Sequence, residues 1–159
     1  MSMLDPDALV RRLRAEHECA AGAFEAQIRA AERSLGAAIP QDLRALLLSM
    51  NGATFWRNGD FPYRLMAVEE IAPVWTLFGK AEGSPSLVAI MQVQGDYVCL
   101  DLASAHPSRA IYCAIETFPF ELLGVCESVW EMLSMVVESG GKEWLWPAVL
   151  AHHKKHGEL

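Results

Sequence analysis

Apolar positions recur along the first fifty residues in steps of three and four, and this spacing predicts three short helices. Asp5-Pro6 opens the first: Asp5 can cap it, Pro6 suits the first turn, and Leu9, Val10 and Leu13 give one apolar side. Arg11, Arg12 and Arg14 occupy the remaining surface, and the helix is expected to fade over residues 19–22. Phe24, Ile28, Ala31 and Leu35 fall at i, i+4, i+7 and i+11, which predicts a second helix with that stripe turned inward. The third is expected from about Pro40 to Met50, burying Leu43, Leu46, Leu47 and Met50. Gly36 can take the left-handed conformation that ends a helix, Pro40 has the fixed φ that suits a helix start, and Asn51-Gly52 supplies a second stop.

Beyond Gly52 the texture changes. Residues 54–60 read as a turn-rich, exposed stretch carrying Phe55 and Trp56, with Asn58-Gly59 as the turn dipeptide. Tyr63–Val68 is a predicted strand, Glu69-Glu70-Ile71 a short helical turn, and residues 72–79 are ambiguous. Leu87–Val93 is a strand by composition. A turn at Gln94-Gly95-Asp96 leads into Tyr97–Leu102, where the apolar step shortens to two: Val98, Leu100 and Leu102 on one face, Tyr97, Cys99 and Asp101 on the other. After a loop holding His106-Pro107, Arg109–Ile115 is a further strand, giving an antiparallel meander. A last helix is predicted over Ser128–Ser139, with Val129, Met132, Leu133, Val136 and Val137 inward and Gly140-Gly141 ending it. Helices, then a meander, then a helix packed on the sheet define an α+β class. All 159 residues are expected to form a single domain.

Composition narrows the function classes. Apolar residues make up 52% of the chain, enough to build a core without metal or disulfide support. Cys19, Cys99, Cys113 and Cys126 lack C-x-x-C spacing and are read as reduced, mostly buried thiols, with Cys99 and Cys113 able to meet across a hairpin. With no signal-peptide layout and no membrane-length apolar run, the expected location is cytoplasmic, without a membrane partner. The net charge of −7 is uneven: residues 1–59 are neutral, whereas residues 60–138 carry eleven acids against Arg64, Lys80 and Arg109. Such a field disfavours nucleic acid and attracts a basic protein surface. It also serves solubility alone, an alternative that the sequence leaves open.

Catalytic constellations are weak. Glu69 and Glu70 are adjacent on a helical turn and point apart, so they read as solvent-facing. Asp96 and Asp101 flank one strand without a third metal ligand, and Asp96 is expected to cap the Gly95 turn. His152 and His156 are four apart but lack the Glu and third ligand of a zinc site. With no nucleophile elbow and no phosphate-cradling glycine motif, the sequence argues for a non-enzyme without cofactor or metal. Phe55, Trp56 and Phe61 are candidate interface anchors, or else fold back over the sheet edge. Trp144 and Trp146 lie in a tail that packs on the domain or makes a dimer contact.

Set out in this way, the chain resembles the SUKH superfamily, the fold shared by yeast cell-wall regulators and bacterial immunity proteins. The resemblance rests on Glu32, Leu35-Gly36, Ile39-Pro40, Leu43 and Asn51-Gly52, and on Leu65 before the Glu69-Glu70-Ile71 turn. It continues through Gly95-Asp96-Tyr97-Val98 into Leu100-Asp101, and closes on the helix after Ser128. It covers about residues 24–138, leaving residues 1–23 and 142–159 as helical additions. It implies a non-catalytic binding protein, foremost an immunity protein that neutralises a polymorphic toxin, often a nuclease, by stoichiometric binding. The expected contact set is Trp56, Asp60, Phe61, Glu69, Glu70, Asp96 and Asp101, facing a basic toxin domain. A regulatory or scaffold module of the same fold is the alternative, and a small ligand-binding protein or hydrolase is the third. Monomer and homodimer both remain open.

Overall fold

The computed structural model describes residues 5–59, 62–79, 83–93, 95–114 and 121–140, with residues 151, 154 and 155. Helices α1 (Pro6–Glu16), α2 (Glu25–Leu35) and α3 (Gln41–Ser49) come first, and α4 (Val129–Ser139) comes last. Between them run β1 (Glu18–Cys19), β2 (Ala53–Phe55), β3 (Tyr63–Leu65), β4 (Ala72–Pro73), β5 (Leu87–Val93), β6 (Asp96–Asp101), β7 (Ala110–Ala114) and β8 (Glu121–Cys126). The expected α+β architecture is present: a fully antiparallel sheet ordered β1-β2-β3-β5-β6-β7-β8, with β4 also on β5.

Helix termini follow the chemistry of their residues. Asp5 accepts from the Ala8 N–H to cap α1, and Ser128 does the same for α4 through the Glu131 N–H. Gly36 ends α2 at φ 69°. Phe24 departs from the expected stripe: as the N-cap of α2 its backbone is extended, so helical phase does not govern it, and it stands 76% exposed. Gln27 reaches back to accept from its N–H at 2.7 Å. Ile28 remains the buried residue of that helix. Helix α3 ends at extended Met50, the residue just before Asn51-Gly52, close to the expected stop.

Both sheet faces are covered near the centre. Cys126 pairs with Ala110, which shares a face with Tyr112, and its sulfur lies 3.4 Å from that of Met135 on α4. The helices therefore cover the face carrying Val98, Leu100 and Tyr112, all fully buried. Against the opposite face lies residues 74–78, a 3-10 helix where the sequence was ambiguous; its Phe78 ring meets Tyr97 edge-on at 5.6 Å. Cys99 and Cys113 lie buried on that face as free thiols. The register pairs Cys99 with Ile111 and Tyr97 with Cys113, so the two cysteines are diagonal neighbours rather than directly opposed. Burial first, then the neighbouring Cys113 thiol, pushes the Cys99 thiol well up.

Candidate protein-binding surface

The expected contact residues scatter over three places. Glu69 and Glu70 sit exposed on the 3-10 turn Val68–Glu70, as expected. Their carboxylates are nonetheless engaged. Glu69 accepts from Gln27 Nε2 of α2 and from Asn51 Nδ2 at 3.2 and 3.3 Å. Asn51 Oδ1 in turn accepts from the Val68 N–H at 2.7 Å, which makes Asn51 the tie between the end of α3 and this turn. Glu70 accepts from the Ala67 N–H at 3.0 Å and from Arg64 at 2.8 Å. Burial raises its pKa, but these two donors outweigh burial and hold the carboxyl below its usual value.

Trp56 lies at a second place, and there the exposed-anchor reading needs correction. Phe55 is fully buried in the core as the last residue of β2, and Trp56 is half-buried against it. Trp56 takes a left-handed φ of 51°. Its N–H donates to His17 Nδ1 at 3.2 Å, and its ring stacks edge-on against His17 at 4.6 Å and Tyr63 at 6.1 Å. Phe55 and Trp56 thus both pack against His17, just before the edge strand β1, with β2 itself paired on both sides. Since Nδ1 accepts, a neutral His17 carries its proton on Nε2. That atom is buried without a hydrogen-bond partner among the described residues, and Glu16 is 4.0 Å away. Burial lowers the His17 pKa, against the pull of Glu16 and with help from Arg12.

Asp96 is not a surface residue: it is 4% exposed, and its carboxylate accepts from the Tyr112 hydroxyl on the helix-covered face. Buried there, it holds that phenol inside the core and offers no surface carboxylate to a partner. Asp101, on the opposite face, is half-buried and accepts from Ser86 Oγ at 2.8 Å and the Ala103 N–H at 3.1 Å. It borders a groove of about 520 Å³ whose wall includes His106, Arg109, Gly124, Glu127 and Glu131. His106 lies in an exposed loop. Asp60, Phe61, Trp144, Trp146, His152, His153 and His156 lie outside the described residues. Among the described residues no cluster of three His, Cys, Asp or Glu side chains could hold a metal ion, and no helix is long and apolar enough to cross a membrane.

The SMI1/KNR4 family model, SUKH-1, matches residues 22–135, which span α2 through most of α4. This chain belongs to the SMI1/KNR4 family. No curated protein matches it. The motif residues of the SMI1/KNR4 region do structural work: Glu32 closes the loop after Gly36 by accepting from the Ile39 N–H at 2.8 Å, and Asn51 fixes the Val68 turn. Asp42 was not singled out by sequence. One of its oxygens accepts from Ser108 Oγ at 2.9 Å, and the other accepts from the Val129 N–H at the start of α4 at 2.8 Å.

Proposed function

We propose that this SMI1/KNR4 domain is an immunity protein that neutralises a cognate, basic polymorphic toxin by stoichiometric, non-catalytic binding. Family membership supports a toxin-immunity or regulatory module. The observation that carries the finer reading is charge segregation: residues 60–138 hold eleven acids against three bases, while residues 1–59 balance. Nuclease toxins must approach polyanionic substrates and are accordingly basic, so an acidic inhibitor gains association rate from complementary fields. The contact set comprises Glu69, Glu70 and Asp101, with half-buried Trp56 at a separate place; Asp60 and Phe61 complete it, and Asp96 is withdrawn because it is buried. Co-expression with the candidate toxin tests this directly. Growth is rescued if the chain is the cognate inhibitor; growth arrest despite expression of both proteins transfers the reading to a regulatory module of the same fold.

A further inference from the structure

Strand β8 ends the sheet, so its outward N–H and C=O groups meet no strand among the described residues. An edge of this kind is ordinarily blunted by charge, proline or cover. Here the run after Glu121 reads Leu122-Leu123-Gly124-Val125-Cys126, and Leu122 is 48% exposed. Gly124 in the middle of the strand is unexplained by the fold. Its φ is not left-handed, and a Cβ built on it would meet nothing within 4 Å among the described residues. The nearby bulge, where Ala110 pairs with Cys126 and Ile111 with Gly124, therefore lacks the left-handed glycine that some bulges require. A mid-strand glycine weakens the strand; this one sits beside the bulge, and it also leaves room for another chain to approach closely.

Gly124 and Ile111 border the 520 Å³ groove together with Asp101, Arg109, Glu127 and Glu131. Arg109 pairs with Glu127 at 2.6 Å, and Glu131 accepts from the Glu127 N–H at 3.1 Å. Three carboxylates thus line the groove with one guanidinium and His106, beside a strand edge that no described strand covers. The excess negative charge disfavours a second copy of this acidic chain and favours a cation.

We propose that β8 and this groove receive an extended, lysine-bearing segment of the protein partner. The segment's backbone pairs with the β8 edge, its apolar side chains cover Leu122, and a lysine enters the groove over Gly124. The proposal rests on the protein-binding reading and gives it a location.

The test uses the full chain labelled with nitrogen-15, titrated separately with the peptides Ac-Lys-Val-Lys-Val-Lys-NH2 and Ac-Glu-Val-Glu-Val-Glu-NH2. The lysine peptide should give saturable amide shifts at residues 110–111 and 122–126, and the glutamate peptide should bind about tenfold or more weakly. Gly124→Val fills the groove floor without strain, so it should melt at or above the parent temperature and weaken the lysine peptide by about tenfold or more. Saturation at another surface, equal binding of both peptides, or undiminished binding by G124V would overturn the site. So would a dimer that Leu122→Lys dissolves, since a second copy would then own the edge. A cognate toxin bound at full affinity by G124V overturns the groove and leaves the inhibitor reading standing. Peptide binding at β8 by a chain that fails to rescue toxin-expressing cells supports the groove and overturns the inhibitor reading.

Discussion

Asp42 joins three elements through one carboxylate: its own helix α3, Ser108 in the loop before β7, and the first N–H of α4. Asp42→Ala leaves these donors without an acceptor and should cost about 2 kcal/mol or more, read from urea unfolding. Helical spacing could not reveal a partner 87 positions away in sequence. The burial of Asp96 was missed because residue 96 was read as part of the turn. The strand begins one residue earlier than expected. Its parity puts residue 96 on the face of Val98 and Leu100, where a carboxylate needs a buried donor, here the Tyr112 hydroxyl. His17 carries a second prediction at this scale. Its folded pKa is lowered below the ordinary 6.5, so the unfolded chain takes up the proton first. The stability that neutral His17 contributes is complete above that value and is lost as pH falls through the folded pKa. Protonation at Nδ1 would also break the bond from the Trp56 N–H. Melting temperature should therefore drop on acidification from about pH 7 to pH 5, and His17→Gln should flatten that part of the profile.

At the scale of elements, periodicity located α1 to α4 and β6, because each runs long enough to show a repeat. Composition located β5, and β7 falls within the strand expected over Arg109–Ile115. The sequence reading missed β1, β2 and β8. Two or three residues cannot display alternation, and Ala53–Phe55 runs straight into a polar turn. Six-residue β8 places Gly124 where a strand pattern would expect a side chain. Phe24 was misread for a related reason: a cap residue next to a helix need not continue its stripe. Packing between elements adds a constraint that composition only hinted at. A Cβ on Gly22 would lie 1.9 Å from the Leu48 carbonyl oxygen of α3, whereas the Ala23 N–H bonds Leu47 there at 2.8 Å. Gly22→Ala must push the strand-to-helix connection off α3, and it should destabilise by about 2 kcal/mol or more in thermal unfolding.

For the whole molecule, the central claim is a steered complex between this acidic domain and a basic toxin. Fold class and charge imbalance were both legible in the sequence. The interface was not, because Glu69 and Glu70 turn out to be shared between the surface and internal ties. Reversal of both to lysine would place a cation beside Arg64 and break the Asn51 link, so Glu69→Gln with Glu70→Gln is the better probe. The pair should slow association with the toxin about threefold or more at low salt while leaving the unfolding midpoint within about 1 kcal/mol of the parent. An unchanged association rate would remove this turn from the interface. The most direct measurement is capture of the tagged protein from its own source cells at low and high salt, with eluted complexes weighed by native mass spectrometry. One basic, toxin-like polypeptide at one-to-one stoichiometry, released as salt rises, is the predicted result. Recovery of housekeeping assemblies, or of nothing from cells shown to make the candidate toxin, would contradict it.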